Sequence, residues 1–167
     1  MADDALLARR TDADVQAVFL SLSATLTGYS RFRLLGTGQV EPYLVTTRSA
    51  VGDDVFRELL SAFAAVERES ADDPAARDRA LRALVLSDEK LGPIARNLIK
   101  MWFVGTWYEL PQEWRDRFAA GEQLATHVVS PASYTEGLLW PTIGANPPGA
   151  KGQGFGSWVG PPNIETS

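Results

Sequence analysis

His127 is the single histidine of the sequence, and so the one side chain whose ordinary pKa suits proton transfer near neutral pH. With a carboxylate such as Glu136 it could serve general acid–base catalysis in a free-standing helical enzyme. Its neighbours Val128 and Val129 favour a structural histidine instead. The doubled carboxylates Asp53/Asp54, Asp72/Asp73 and Asp88/Glu89 stand at expected helix starts, where negative charge complements the macrodipole. Ser130, Ser133 and Ser157 lack the strand–turn–helix setting of an activated serine. Gly152, Gly154 and Gly156 miss the dinucleotide spacing, and Gly144, Gly149 and Lys151 miss the phosphate-loop spacing. The chain has no cysteine, which removes disulfides, thiolate nucleophiles and Cys-held clusters, and one histidine cannot build a multi-His metal site. The residues therefore assign no catalytic, cofactor-binding or metal-ligating position within this chain.

What remains distinctive is apolar. Leu91 to Tyr108 is the most hydrophobic stretch and holds Trp102, Trp107 and Tyr108. From Pro141 to Pro162, eleven of twenty-two residues are Gly or Pro, and the one charge is Lys151. Neither a helix nor a central strand tolerates that density. Yet the segment carries Ile143, Phe155, Trp158 and Val159, unlike a solvated linker. Such rings become buried only if the segment lies along a surface, its own or another protein's.

The elements that would position these residues are helices. Asp12 or Asp14 can cap a first helix that carries Val15, Val18, Phe19, Leu22 and Leu26 on one stripe and stops at Gly28. Residues 29–51 read as irregular; Val40–Thr47 has strand-like composition, weakened by Pro42. Asp53–Glu69 shows three- and four-residue apolar spacing, and Pro74 opens a third helix reaching Leu86. A fourth helix follows over the Leu91–Tyr108 stretch, then a short one over Pro111–Ala120. Ser130-Pro131 opens a last one bearing Tyr134, Leu138, Leu139 and Trp140. The expectation is a mainly α protein. It has an N-terminal extension over 1–11, a bundle of about six helices over 12–140 without a convincing sheet, and an extended arm over 141–167.

The 167 residues suit one domain, with 45% apolar and 22% charged residues as in ordinary globular proteins. A net charge of −5 without a basic cluster argues against a nucleic-acid partner. No apolar run is long enough to span a bilayer. Arg9 and Arg10 precede an apolar run, but Asp12 and Asp14 intervene, so the start reads as an amphipathic helix rather than a twin-arginine signal.

Two stretches resemble a known family. ARNLIKMWFVGTWY (95–108) and VVSPASYTEGLLWPTIGANPPGAKGQGFGSWVGPP (128–162), with FLSLSATLTG (19–28), are similar to the small, accessory subunit of bacterial FAD-dependent sugar and polyol dehydrogenase complexes, the sorbitol, fructose and glucose dehydrogenases. The series Tyr134–Gly137, Trp140, Ile143–Ala145, Pro148–Ala150, Gly154–Gly156 and Trp158 carries most of the likeness. The resemblance implies a subunit without catalytic residues that binds and stabilises a large GMC-type subunit. That partner would hold FAD and, in many members, an iron–sulfur cluster, with a multihaem cytochrome c taking the electrons. It implies a periplasmic location where a twin-arginine signal precedes the mature chain, and a cytoplasmic one otherwise. The expected partner-facing residues are Trp102, Trp107, Tyr108, Tyr134, Trp140, Ile143, Phe155 and Trp158. A chaperone-like protein with another client is the remaining alternative.

Overall fold

The first helix is rich in hydroxyls as well as apolar residues, and several of those hydroxyls turn back onto the backbone. In the computed structural model, which describes residues 11–70 and 73–150, α1 spans Asp12–Thr27. Its Ser21, Thr25 and Thr27 donate to the carbonyls of Ala17, Ser21 and Ser23. The cap is Thr11, in a reciprocal box with Asp14, and Gly28 ends the helix at φ 76°. Phe19 and Leu22 are fully buried on the stripe read from the sequence.

Residues 29–51 are not irregular, and Val40–Thr47 is not a strand. Ser30 caps α2 (Arg31–Gly36), and α3 runs over Val40–Val51. Pro42 lies in the first turn of α3, where its missing N–H has no intrahelical partner to lose. The strand-like composition is overridden by packing: Tyr43, Thr47 and Val51 are buried. The next helix, α4 (Asp53–Ser70), buries Val55, Phe56, Leu59, Leu60, Phe63 and Val66, as its spacing requires. Pro74 opens α5 (Pro74–Leu81), capped by Asp73. The helical path then widens into a π turn over Arg82–Leu86, where an α-helix to Leu86 is expected. The wider turn brings Val85 into the core with no exposed surface.

The central element is α6 (Leu91–Val104), which packs on α1, α3 and the π turn. Ile94, Leu98, Met101 and Trp102 are sealed along one ridge. Trp102 meets the Tyr43 ring edge-on at 4.7 Å, and Phe19 meets Phe56 at 6.1 Å. Gly105 ends α6 at φ 68° and feeds β1 (Thr106–Trp107). Next come α7 (Gln112–Phe118), β2 (His127–Val128), α8 (Pro131–Thr135) and α9 (Leu139–Thr142). A single two-residue antiparallel ladder, Thr106 opposite Val128 and Trp107 opposite His127, is thus present where no sheet is expected. The last helix is split at Gly137, and a boundary between residues 140 and 141 falls inside α9. The architecture is mainly helical, as the sequence implies. Among the described residues, no helix is long and apolar enough to cross a membrane.

Candidate interaction site

Residues 102–105 pack on residues 129–138, and glycines make the contact. A Cβ on Gly105 would lie 2.4 Å from the Ser133 carbonyl oxygen, and one on Gly137 would lie 2.7 Å from the Phe103 carbonyl oxygen. At both places only a hydrogen fits between the chains. The gap is then bridged by hydrogen bonds. Leu138 N–H donates to the Trp102 carbonyl (3.0 Å), and Val129 N–H and the Ser133 hydroxyl both donate to the Gly105 carbonyl (3.0 and 2.9 Å). Ser133 is itself fixed by a capping box with Ser130 at the start of α8. Leu138 is 1% exposed, so this part of the C-terminal region belongs to the core.

The aromatic residues expected to face a partner divide into three groups. Trp102 and Trp107 are each 1% exposed and are consumed by this chain's own core, Trp102 against Tyr43 of α3 and Trp107 beside Ala50, Leu110 and Trp114. They offer no face to another protein. Tyr108, Tyr134, Trp140 and Ile143 lie at the surface or half-buried. Phe155 and Trp158 fall outside the described residues.

Tyr108 is held from below: its backbone N–H donates to Asn97 Oδ1 (3.1 Å), while Asn97 Nδ2 donates to its carbonyl (2.5 Å). Lys100 lies 5.1 Å from the Tyr108 ring centre in a cation–π arrangement. Tyr134 and Trp140 form one block. Their rings meet edge-on at 5.3 Å, the Trp140 indole donates to the Tyr134 carbonyl (2.7 Å), and the Tyr134 hydroxyl donates to the Pro148 carbonyl (3.3 Å). The block borders an open groove of 210 Å³ whose other wall is α2, through Arg33 and Thr37. The end of α9 is pinned to the α1–α2 corner by a 2.7 Å hydrogen bond between the Tyr29 and Thr142 hydroxyls.

Sequence reasoning missed Phe32 and Leu35. They are 87% and 54% exposed on α2, in the stretch read as irregular. The available signal was Ser30 as a cap, followed by apolar residues three apart on a face opposite the buried Leu34.

His127 is exposed on β2, with Nδ1 2.8 Å from the Ala125 carbonyl. Glu136 follows α8 and lines the groove beside Trp140. Burial pushes the Tyr43 phenol well above its usual pKa, and the Ser133 hydroxyl pulls it partly back. The Arg117 guanidinium, bidentate on Glu89, holds that exposed carboxylate below its usual range. Among the described residues no group of three or more His, Cys, Asp or Glu is placed to hold a metal ion. Comparison of the chain with family models, with curated proteins and with solved structures finds no match.

Proposed function

We propose that the chain is a non-catalytic accessory subunit that binds and stabilises the large, FAD-carrying subunit of a sugar or polyol dehydrogenase complex. The observation that carries this reading is the joining of residues 102–105 to 129–138. The two stretches that resemble the small-subunit family are far apart in sequence yet close glycine to backbone into one unit. Its outer edge is Tyr134, Trp140 and Ile143, and in sequence it precedes the aromatic segment that carries Phe155 and Trp158, with Lys151 as its one charge. A rigid root with a ring-bearing arm suits attachment to another protein, because interface energy concentrates in a few aromatic anchors. In this reading the flavin, and any iron–sulfur cluster, belong to the partner, and a multihaem cytochrome receives the electrons.

The test is co-expression with the GMC-type flavoprotein expected from the neighbouring reading frame. Full-length chain should co-purify with a yellow, active large subunit. Trp158→Ala should weaken assembly by about 2–4 kcal/mol, roughly thirty- to a thousandfold in Kd. His127→Ala should leave turnover of the assembled complex within about tenfold, since losing a general base typically costs about a hundredfold or more. A flavoprotein that is equally soluble, flavinated and active without this chain would refute the proposal.

A further inference from the structure

The most exposed large apolar side chain among the described residues is Phe32, at 87%, with Leu35 at 54% one helical turn further on. Both stand on one face of α2, since residues three apart on a helix are neighbours. The helix beneath them is well anchored. Leu34 is fully buried, Ser30 caps the N-terminus, and the Thr37 hydroxyl donates to the Leu34 carbonyl. The face is therefore a fixed feature, held outward by its own buried side. Arg31 and Arg33 flank it, both exposed, and neither enters an ion pair among the described residues.

The position of this face matters as much as its chemistry. The Tyr29–Thr142 bond brings the end of α9, and with it the 42%-exposed Ile143, to the α1–α2 corner. Arg33 shares a groove with Trp140, Pro141 and Pro147. The α2 face and the α9 end of the described residues thus border one surface.

Resting on the function proposed above, we infer that Phe32 and Leu35, flanked by Arg31 and Arg33, form a second docking point for the large flavoprotein subunit, which presents there an apolar pocket rimmed by carboxylates. Charge decides between occupants. A two-fold contact between copies of this chain would set Arg31 and Arg33 against their own equivalents, and like charges across an interface are unfavourable. The segment 151–167 has a single acidic side chain, Glu165, and offers little to complement two guanidinium groups. An acidic-rimmed partner surface satisfies both the apolar and the basic parts.

The experiment compares full-length chains for binding to the flavoprotein expected from the neighbouring reading frame. Phe32→Asp should weaken binding at least about thirtyfold, as expected for an interfacial anchor. Arg33→Glu should slow association and reverse its salt dependence. Val45→Asp, at a 53%-exposed apolar site on α3, should bind as the wild type does. Circular dichroism should be unchanged in all three, because each side chain lies at the surface. If the wild-type chain does not bind the flavoprotein, the function itself falls and this inference with it. If the wild type binds and Phe32→Asp binds within about threefold of it, the function stands and this docking point is overturned. Conversion of a homodimer to a monomer by Phe32→Asp, at unchanged flavoprotein affinity, would assign the face to a second copy and equally overturn it.

Discussion

Replacing Gly105 by alanine tests the contact on which the C-terminal region is built, and Gly28→Ala supplies its control. Both glycines end helices with positive φ, at 68° and 76°. At Gly28 an added Cβ meets nothing within 4 Å. Its replacement should cost only the left-handed backbone penalty, about 1–2 kcal/mol. At Gly105 the same Cβ would lie 2.4 Å from Ser133 O, 2.5 Å from Ser133 C and 2.7 Å from Tyr134 N. Those are backbone atoms, held by the Ser133 capping box and by bonds to the Gly105 carbonyl, so no rotamer change relieves the clash. Forced overpacking adds about 1–3 kcal/mol. The displaced α8 would also strain the Val129 and Ser133 hydrogen bonds, at about 1 kcal/mol each. The sum is about 4–7 kcal/mol for Gly105→Ala. For a domain of this size each kcal/mol moves Tm by about 2–4 °C. Gly28→Ala should therefore lower Tm by a few degrees, and Gly105→Ala by roughly 10 °C or more. Urea unfolding followed by circular dichroism gives the free energies directly. Equal losses in the two variants would refute the claim that close backbone contact holds α8 to α6.

Two further outcomes follow from buried polar groups. Asn97→Leu should destabilise the fold by about 2–3 kcal/mol in urea unfolding, because it orphans both the N–H and the carbonyl of Tyr108; near-wild-type stability would mean that solvent satisfies both groups. Tyr43 has its folded pKa raised by burial, so its contribution to stability is complete below the unfolded value, about 10, and is lost as pH rises beyond it. The urea midpoint should accordingly start to fall at about pH 10 and keep falling as pH rises toward the raised folded value, and Tyr43→Phe should flatten that fall.

Periodicity exposed the parts of this fold where one helix face meets a core. The six buried positions of α4 and the ridge of α6 were legible because their spacing leaves one solution. It failed where short elements are made by context. The composition of α3 favours a strand in isolation, and only the burial of Tyr43 against Trp102 settles it as a helix. The π turn depends on one extra residue per turn near Val85, which no pattern of residue types encodes. Trp102 and Trp107 show the same limit at the candidate site. An aromatic-rich stretch has the composition of an interface or of a core, and only the neighbours decide, here Tyr43 at Trp102 and Ala50, Leu110 and Trp114 at Trp107. Phe32 is the converse, since its exposure depends on Leu34 taking the inward position.

The bond between the Tyr29 and Thr142 hydroxyls joins residues 113 positions apart. A ribosome adding about 5–20 residues per second needs roughly 6–23 s to make the second partner after the first. Throughout that interval the α1–α2 corner stands without α9 beside it. The core helices α1, α3, α4 and α6 are complete before then, so α9 closes a body that is already folding. The surface formed by α2 and α9 therefore comes into being only once Thr142 has been made. A nascent chain cannot present this composite surface earlier, and assembly through it is restricted to chains translated past that residue.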